Sequence, residues 1–257
     1  MHPCLPYEVW DAGPHTLEPV NATRGALALT AAAAAAYAAP SVARLLPPRW
    51  RATPRLSGIG DPGHVALTFD DGPDPASTPA VMDALDGLGW RATFFCLGNM
   101  TLACPSLAAD LAAAGHELAV HGSSHAGAIR RTPGWLADDV RRCRDAVAEA
   151  AGVEPYWYRP PFGELSLGTF SAARASQLRV VLWSAWGRDW RPGATPGEVV
   201  ADIERGVLAG GTVLLHDSDC TSAPSSWRVT VAALPRLAER VATLGLAVGT
   251  LSEHGLR

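Results

Sequence analysis

Short apolar runs alternate with amphipathic stretches along residues 61–257. Seven runs have the composition of buried β-strands: residues 64–69, 92–97, 117–120, 156–158, 179–183, 212–215 and 246–250. The segments between them are typical of helices, at 77–88, 105–114, 135–151, 167–177, 196–209 and 228–244. Several of these segments open with Ser, Thr or Pro, as helices commonly do. The alternation indicates an α/β fold with a mostly parallel sheet, and seven strands predict a closed or nearly closed barrel.

Polar residues follow five of the predicted strands. They are the pairs Asp70-Asp71, His121 with His125, Arg159 with its two following prolines, Asp189-Trp190, and His216-Asp217. The C-terminal ends of barrel strands meet on one face, where the chemistry of such barrels is found. The pattern therefore predicts one polar site on that face.

Asp71, His121 and His125 together form a candidate metal site. The two histidines are four residues apart, so both imidazoles can reach one ion if the chain coils there. Two histidines and one carboxylate leave coordination positions open for water and substrate, which suits Zn²⁺, Co²⁺ or Fe²⁺ in a hydrolase. The alternatives are a solvated Asp-Asp-Gly turn and a pair of surface or capping histidines.

The other strand-end residues suggest acid–base chemistry. His216 can protonate a leaving group, and Arg159 can pair with a carboxylate and keep it ionised. Asp189 can orient a histidine while Trp190 walls a pocket. Without a catalytic role, His216 would be a hydrogen-bonded core histidine, and Arg159 would form an ordinary salt bridge.

Five motifs in this order resemble the polysaccharide deacetylases with a NodB homology domain, carbohydrate esterase family 4. The motifs are Thr68-Phe-Asp-Asp-Gly-Pro73, His121-x3-His125, Arg159-Pro-Pro-Phe-Gly163, Asp189-Trp190 and Leu214-Leu-His-Asp217. The resemblance covers residues 61–257 and implies a distorted (β/α)7 TIM-like barrel. It also implies a metal-dependent hydrolase that removes acetyl groups from N-acetylated or O-acetylated sugars of a polysaccharide or glycan.

The same resemblance assigns roles to individual residues. Asp71, His121 and His125 would hold one divalent ion, with Zn²⁺ favoured and Co²⁺, Ni²⁺ or Fe²⁺ as alternatives. Asp70 would be the general base and His216 the general acid. The remaining roles concern orientation and substrate contact: Arg159 would hold Asp70, Asp189 would orient His216, the backbone N–H of Phe162 would bind the oxyanion, and Trp190 and Leu214 would line the acetyl pocket.

Three features depart from the common pattern of the family. Phe162 stands where many members have Tyr, residues 186–190 are bulkier and more cationic, and the loop 218–226 is long. These features keep open a same-fold amidohydrolase acting on a small acetylated glycoside or a cyclic imide. A binding module without activity would need a missing ligand, base or acid, and none is missing.

Residues 1–60 form a separate N-terminal segment rich in Ala, Pro and Arg, before the catalytic domain predicted at 61–257. Residues 25–43 are uncharged, and their length suits a membrane helix although alanine is only weakly apolar. A signal peptide and a plain helical extension are the alternatives. The sequence therefore leaves cell-envelope or secreted and cytoplasmic locations equally open.

The composition excludes a disordered chain, general nucleic-acid binding and chemistry that depends on lysine. Hydrophobic residues make up 48% of the 257 residues, and a disordered chain would have far fewer. The net charge of -4 gives no basic surplus for nucleic acid. All 21 basic residues are Arg, which removes chemistry that needs a lysine. We expect a monomer that acts on a carbohydrate carrying N-acetyl groups.

Overall fold

The computed structural model describes residues 20–45 and 54–256. Within these residues the chain divides into two compact units, with the boundary between Ala36 and Tyr37. The N-terminal segment predicted for 1–60 therefore lies partly outside the described residues. Its described part contains helix α1 (Val20–Ala38) and two 3₁₀ turns, Ala39–Leu45 and Pro54–Ser57. Among the described helices, none has both the length and the apolar character that crossing a membrane requires.

The second unit is built around a curled parallel sheet. Its strands are β1 (His64–Asp70), β2 (Thr93–Cys96), β3 (Glu117–Val120), β4 (Trp157–Tyr158), β5 (Arg179–Val180), β6 (Ala185–Trp186), β7 (Thr212–His216) and β8 (Ala247–Gly249). The strand order is β5-β4-β3-β2-β1-β7-β6, and β8 also pairs with β1. Each pairing is parallel, so the C-terminal ends of the strands lie on one face.

Helices connect most of the strands. They are α2 (Thr78–Gly87), α3 (Gly98–Ala103), α4 (Pro105–Ala113), α5 (Pro133–Ala151), α6 (Leu167–Ala175), α7 (Pro196–Glu204) and α8 (Trp227–Thr243). The capping pattern of the sequence is confirmed at α7, where Thr195 and Glu198 form a reciprocal capping box. The α/β architecture with a parallel sheet is thus as predicted.

The barrel departs from the prediction at the run 179–183. The structure divides the region into β5 and β6, which gives eight strands in place of seven. The backbone N–H of Leu182 donates to Leu56 of the 3₁₀ turn (2.8 Å), and that of Ser184 donates to Thr212 of β7 (3.0 Å). The chain therefore changes partner between these two residues, and the sheet is a curled half-barrel among the described residues.

Alternation along β1 explains how a polar site forms beside an apolar core. Val65, Leu67 and Phe69 belong to the large core cluster, where Phe69 stacks on Phe94 at 5.1 Å. The intervening residues point to the opposite face of the sheet. Ala66 is there in a smaller cluster with Phe95 and Trp157. Because side chains alternate along the strand, Thr68 and Asp70 lie on the same face as Ala66, which is the inner face of the curled sheet.

Residues from Tyr37, near the end of α1, onward belong to the second unit and contact its other segments. The Tyr37 hydroxyl donates to the carbonyl of Arg131 (2.7 Å). The buried Ser41 hydroxyl donates to the Leu165 carbonyl (2.5 Å) and accepts from the Leu165 N–H (3.0 Å). The domain boundary predicted at residue 60 stays a prediction, but these contacts begin well before it.

Ser41→Ala should lower the free energy of unfolding by about 1–3 kcal/mol, because it leaves two buried backbone groups of Leu165 without their partner. Urea denaturation of the full chain measures this. Val42→Ala is the control, because Val42 is 57% exposed and a surface change of this kind costs within about 0.5 kcal/mol. Equal stability of the two variants would contradict the assignment.

Candidate active site

Asp70 ends β1 on the inner face and meets a buried arginine there. Arg159 directly follows β4, and its Nη1 donates to Asp70 Oδ1 (2.7 Å) and to the Thr68 hydroxyl (2.9 Å). Its Nη2 donates to the Leu182 carbonyl (2.9 Å). Arg159 is fully buried, with its guanidinium carbon 4.0 Å from the centre of the Phe95 ring. The predicted pairing of Arg159 with Asp70 is therefore present in the geometry.

Burial lowers the pKa of Arg159 from its usual value, and the negative charge of Asp70 opposes that shift. The guanidinium keeps its charge because an arginine begins far above neutral pH. A buried cation of this kind requires a paired anion. Asp70 supplies it and stays fixed by the same contact.

Asp71, His121 and His125 converge beside Asp70. Asp71 Oδ1 lies 3.4 Å from His121 Nε2 and 3.2 Å from His125 Nε2. His121 Nδ1 is 2.8 Å from the carbonyl oxygen of Arg159. A carbonyl can only accept, so Nδ1 is the donor and Nε2 is the nitrogen that faces Asp71. The ligand atoms of all three residues lie within 4.8 Å of one another.

This group has the properties of a cation site. Among the described residues, the buried Asp71 Oδ1 has no hydrogen-bond donor although two imidazole nitrogens face it. Burial opposes ionisation of Asp71, but His121, His216 and His125 hold its pKa below the usual range. Burial and the neighbouring His121 lower the pKa of His125 to about 4. For His121, burial favours the neutral form, but Asp70 and Asp71 outweigh it and raise the pKa. Because a divalent cation binds an ionised carboxylate and neutral imidazoles, it would take the place of that proton on His121.

His216 ends β7 opposite Asp70 in the strand register. Its Nδ1 is 2.8 Å from Asp189 Oδ1, and its backbone N–H donates to Asp189 Oδ2 (2.8 Å). The Thr230 hydroxyl also donates to Oδ2 (2.7 Å). Burial disfavours the imidazolium, but the charge and hydrogen bond of Asp189 outweigh this and raise the pKa of His216 to about 9.

Asp217 fixes the turn that carries Asp71. Its Oδ1 accepts from the Gly72 N–H (3.0 Å) and its Oδ2 from the Thr78 hydroxyl (2.5 Å). A Cβ on residue 72 would lie 2.0 Å from Asp217 Oδ2, so only glycine fits this close approach. Burial raises the pKa of Asp217 to about 7.

A cleft of about 470 Å³ opens at these residues. Asp70, His121, His125 and His216 form its polar end. Its other walls are aromatic and aliphatic: Phe162, Trp183, Trp186, Trp190 and Leu214. Phe162 contacts the His125 ring edge to face at 4.4 Å and is 56% exposed. Trp186 and Trp190 lie side by side, with ring centres 6.1 Å apart.

The structure brings together the residues that the strand-end pattern predicted. Asp70, Asp71, His121, His125, Arg159, Asp189 and His216 form one connected cluster, with Phe162, Trp190 and Leu214 at its cleft. Sequence reasoning missed the supporting hydroxyl groups. Thr68 belongs to the first motif, and strand alternation places it on the same face as Asp70. Its supporting role could therefore have been predicted. Thr230 lies on α8, where nothing in the local sequence points to Asp189.

Parallel strands that carry an Asp-His-His cluster, a buried Arg–Asp pair and an Asp-bound histidine on one face are typical of a hydrolase of the α/β barrel class. The family model described as polysaccharide deacetylase matches residues 58–181. A peptidoglycan-N-acetylglucosamine deacetylase of Bacillus cereus is 34% identical over 191 residues, which are 74% of this chain and 86% of the relative. A chitooligosaccharide deacetylase of Sinorhizobium fredii is 35% identical over 214 residues, covering 79% and 96%.

A solved family 4 carbohydrate esterase from Streptomyces lividans, in complex with acetate, has a similar fold. The TM-score is 0.65 and the identity 32%, with 73% of this chain and 92% of that one covered. The chain belongs to the polysaccharide deacetylase family, carbohydrate esterase family 4. It is therefore a hydrolase that removes acetyl groups, as the sequence motifs predicted.

Replacing Arg159 tests the central ion pair. Arg159→Met keeps most of the volume but leaves the buried Asp70 carboxylate unpaired, so stability should fall by about 3–5 kcal/mol. Urea unfolding at neutral pH measures the loss. Arg174→Ala, at an exposed arginine of α6, should change stability by less than about 0.5 kcal/mol. Unchanged stability of Arg159→Met would show that the pair is not needed for the fold.

Proposed function

We propose that this chain is a zinc-dependent deacetylase of glycans that contain N-acetylglucosamine. The observation that carries the proposal is that Asp70, His216 and both histidines of the Asp71–His121–His125 cluster line one cleft. The family assignment supports an acetyl group as the acyl group that is removed. The hydrogen bonds and charges around each side chain support the individual roles.

Asp71, His121 and His125 would hold the metal through Oδ1 and the two Nε2 atoms. One carboxylate and two imidazoles suit Zn²⁺, with Co²⁺, Ni²⁺ or Fe²⁺ as alternatives. A divalent ion there would act as a Lewis acid toward the water and the acetyl carbonyl oxygen. The orphaned Asp71 Oδ1 supports this assignment, because a buried acceptor without a donor needs a cation.

Asp70 would be the general base. Arg159 occupies Oδ1, which leaves Oδ2 on the side of the cluster, 3.7 Å from His121 Nε2. Oδ2 would take a proton from the water that attacks the acetyl carbon. Arg159 orients this carboxylate and pairs its negative charge in the buried site.

His216 would be the general acid. Asp189 holds Nδ1, so the opposite nitrogen, Nε2, is the one available to substrate in the cleft. With its pKa raised to about 9, His216 carries a proton at neutral pH. As the carbon–nitrogen bond breaks, Nε2 would give that proton to the leaving sugar amine, and acetate is the second product.

The remaining cleft residues would bind the substrate. The Phe162 N–H would donate to the developing oxyanion, and Trp190 and Leu214 would surround the acetyl methyl group. The exposed faces of Phe162 and Trp190 suit the apolar faces of sugar rings. The names of the relatives point to peptidoglycan or chitooligosaccharides, and both contain the same N-acetylglucosamine unit.

Acetate release from chitooligosaccharides and from peptidoglycan by the zinc-loaded full chain tests the function. Asp70→Asn should lower kcat by about 100-fold or more, because the amide cannot accept the proton. Asp83→Asn, an exposed acid of α2, should retain full activity. The proposal fails if acetate appears only from small N-acetyl compounds, or if Asp70→Asn is as active as the parent.

The pH profile tests the acid. Activity should fall as pH rises through the pKa of His216, near 9, because the acid must be protonated. Asp189→Asn removes the facing negative charge, so this alkaline limb should move to lower pH, while the acidic limb moves less. Asp70 and Asp71 also face His216, so part of the elevation should persist. Asp83→Asn again serves as the control for net charge.

A shift of only the acidic limb in Asp189→Asn would contradict the pairing of Asp189 with His216. It would mean that Asp189 acts on the side of Arg159 and Asp70.

A further inference from the structure

The long loop after β7 contacts the turn that follows the neighbouring strand β1. Its first residues are anchored there, because Asp217 binds Gly72 and Thr78, and the Ser218 hydroxyl donates to Asp74 Oδ2 (2.9 Å). Thr221 and Ser222 then form part of the cleft wall. The loop is therefore part of the site rather than a remote surface feature.

Thr221 contacts the carboxylate of Asp71 directly. Its hydroxyl donates to Asp71 Oδ2 at 2.7 Å. The neighbouring Cys220 thiol lies 3.7 Å from the backbone carbonyl of Asp71. The other carboxylate oxygen, Oδ1, is the one between the two Nε2 atoms. The two oxygens of Asp71 thus have different partners.

Backbone hydrogen bonds from the two residues after Thr221 hold this part of the loop in place. The Ser222 N–H donates to the Asp219 carbonyl (3.0 Å), and the Ala223 N–H donates to the Trp190 carbonyl (3.0 Å). The bond from Ala223 to Trp190 connects the loop to residues 186–190, which include two of the tryptophans that line the cleft. Thr221 is exposed as a residue, but its hydroxyl is directed by this framework toward Asp71.

We propose that Thr221 is a positioning residue that holds Asp71 as a ligand through Oδ1 alone. This inference rests on the proposed metal-binding role of Asp71. A carboxylate can bind a cation through one oxygen or two, and it rotates between these modes when nothing holds it. A hydroxyl donor on Oδ2 occupies that oxygen and fixes the plane of the carboxylate. Partners of this kind raise metal affinity by orienting the ligand before the ion arrives.

The test measures metal binding rather than activity. Co²⁺ is titrated into the full chain, freed of metal, and its dissociation constant is determined by competition with a chromogenic chelator. Thr221→Val removes the donor with little change in shape, and affinity should fall by about 10- to 100-fold. Thr221→Ser keeps the hydroxyl and should stay within about threefold of the parent. Thr243→Val, the same substitution at an exposed threonine of α8, is the matched control and should bind Co²⁺ as the parent does.

The visible absorption of the bound Co²⁺ gives a second, independent readout. Its intensity falls as the coordination number rises, so Thr221→Val should show weaker bands if Oδ2 joins the coordination, whereas Thr221→Ser should match the parent. Thermal melting of the metal-free variants verifies folding, and Thr221→Ala repeats the test should the valine variant misfold.

Two negative results have different meanings. Parent-like affinity and parent-like absorption in Thr221→Val, with the parent binding one Co²⁺, would overturn the role of Thr221 and leave the metal site intact. Failure of the parent chain itself to bind Co²⁺ would overturn the proposed metal site and, with it, this inference.

Discussion

The buried guanidinium of Arg159 is the interaction on which the rest of the site depends. Its side chain holds Asp70 and Thr68 at the end of β1, and its Nη2 reaches Leu182 where the sheet changes partner. Its backbone carbonyl fixes the orientation of His121. One residue at the end of a two-residue strand thus sets the proposed base and one proposed metal ligand. Because a buried charge needs full compensation, each of these partners is constrained in turn.

Much of this arrangement could be predicted from the sequence because strand periodicity is a local property. The apolar alternation in β1 places Asp70 inward, and parallel strands bring their C-terminal ends to one face. The ordered motifs then identify the family. The division at residues 179–186 could not be predicted, because it depends on hydrogen bonds from Leu182 to Leu56 and from Ser184 to Thr212, which are distant in sequence. Thr221 and Thr230 escaped prediction for the same reason.

The departures from the family pattern lie around the cleft rather than among the proposed catalytic groups. Trp186 and Trp190 form an aromatic wall, and the guanidinium carbon of Arg188 lies 5.3 Å from the centre of the Trp186 ring. The long loop joins this wall to the turn that carries Asp71, through Ala223 and Thr221. Fold alone does not determine function. The proposed chemistry resides in the buried cluster, and the segments that depart from the family pattern line the cleft beside it.

Asp71, His121 and His125 are proposed to bind one divalent ion beside Asp70 and His216. Anomalous diffraction at the zinc edge, from crystals of the zinc-loaded full chain, tests it most directly. We expect a single strong peak about 2.0–2.2 Å from Asp71 Oδ1 and from the Nε2 atoms of His121 and His125. A peak at other residues, or no peak at this cluster in zinc-saturated crystals, would contradict it.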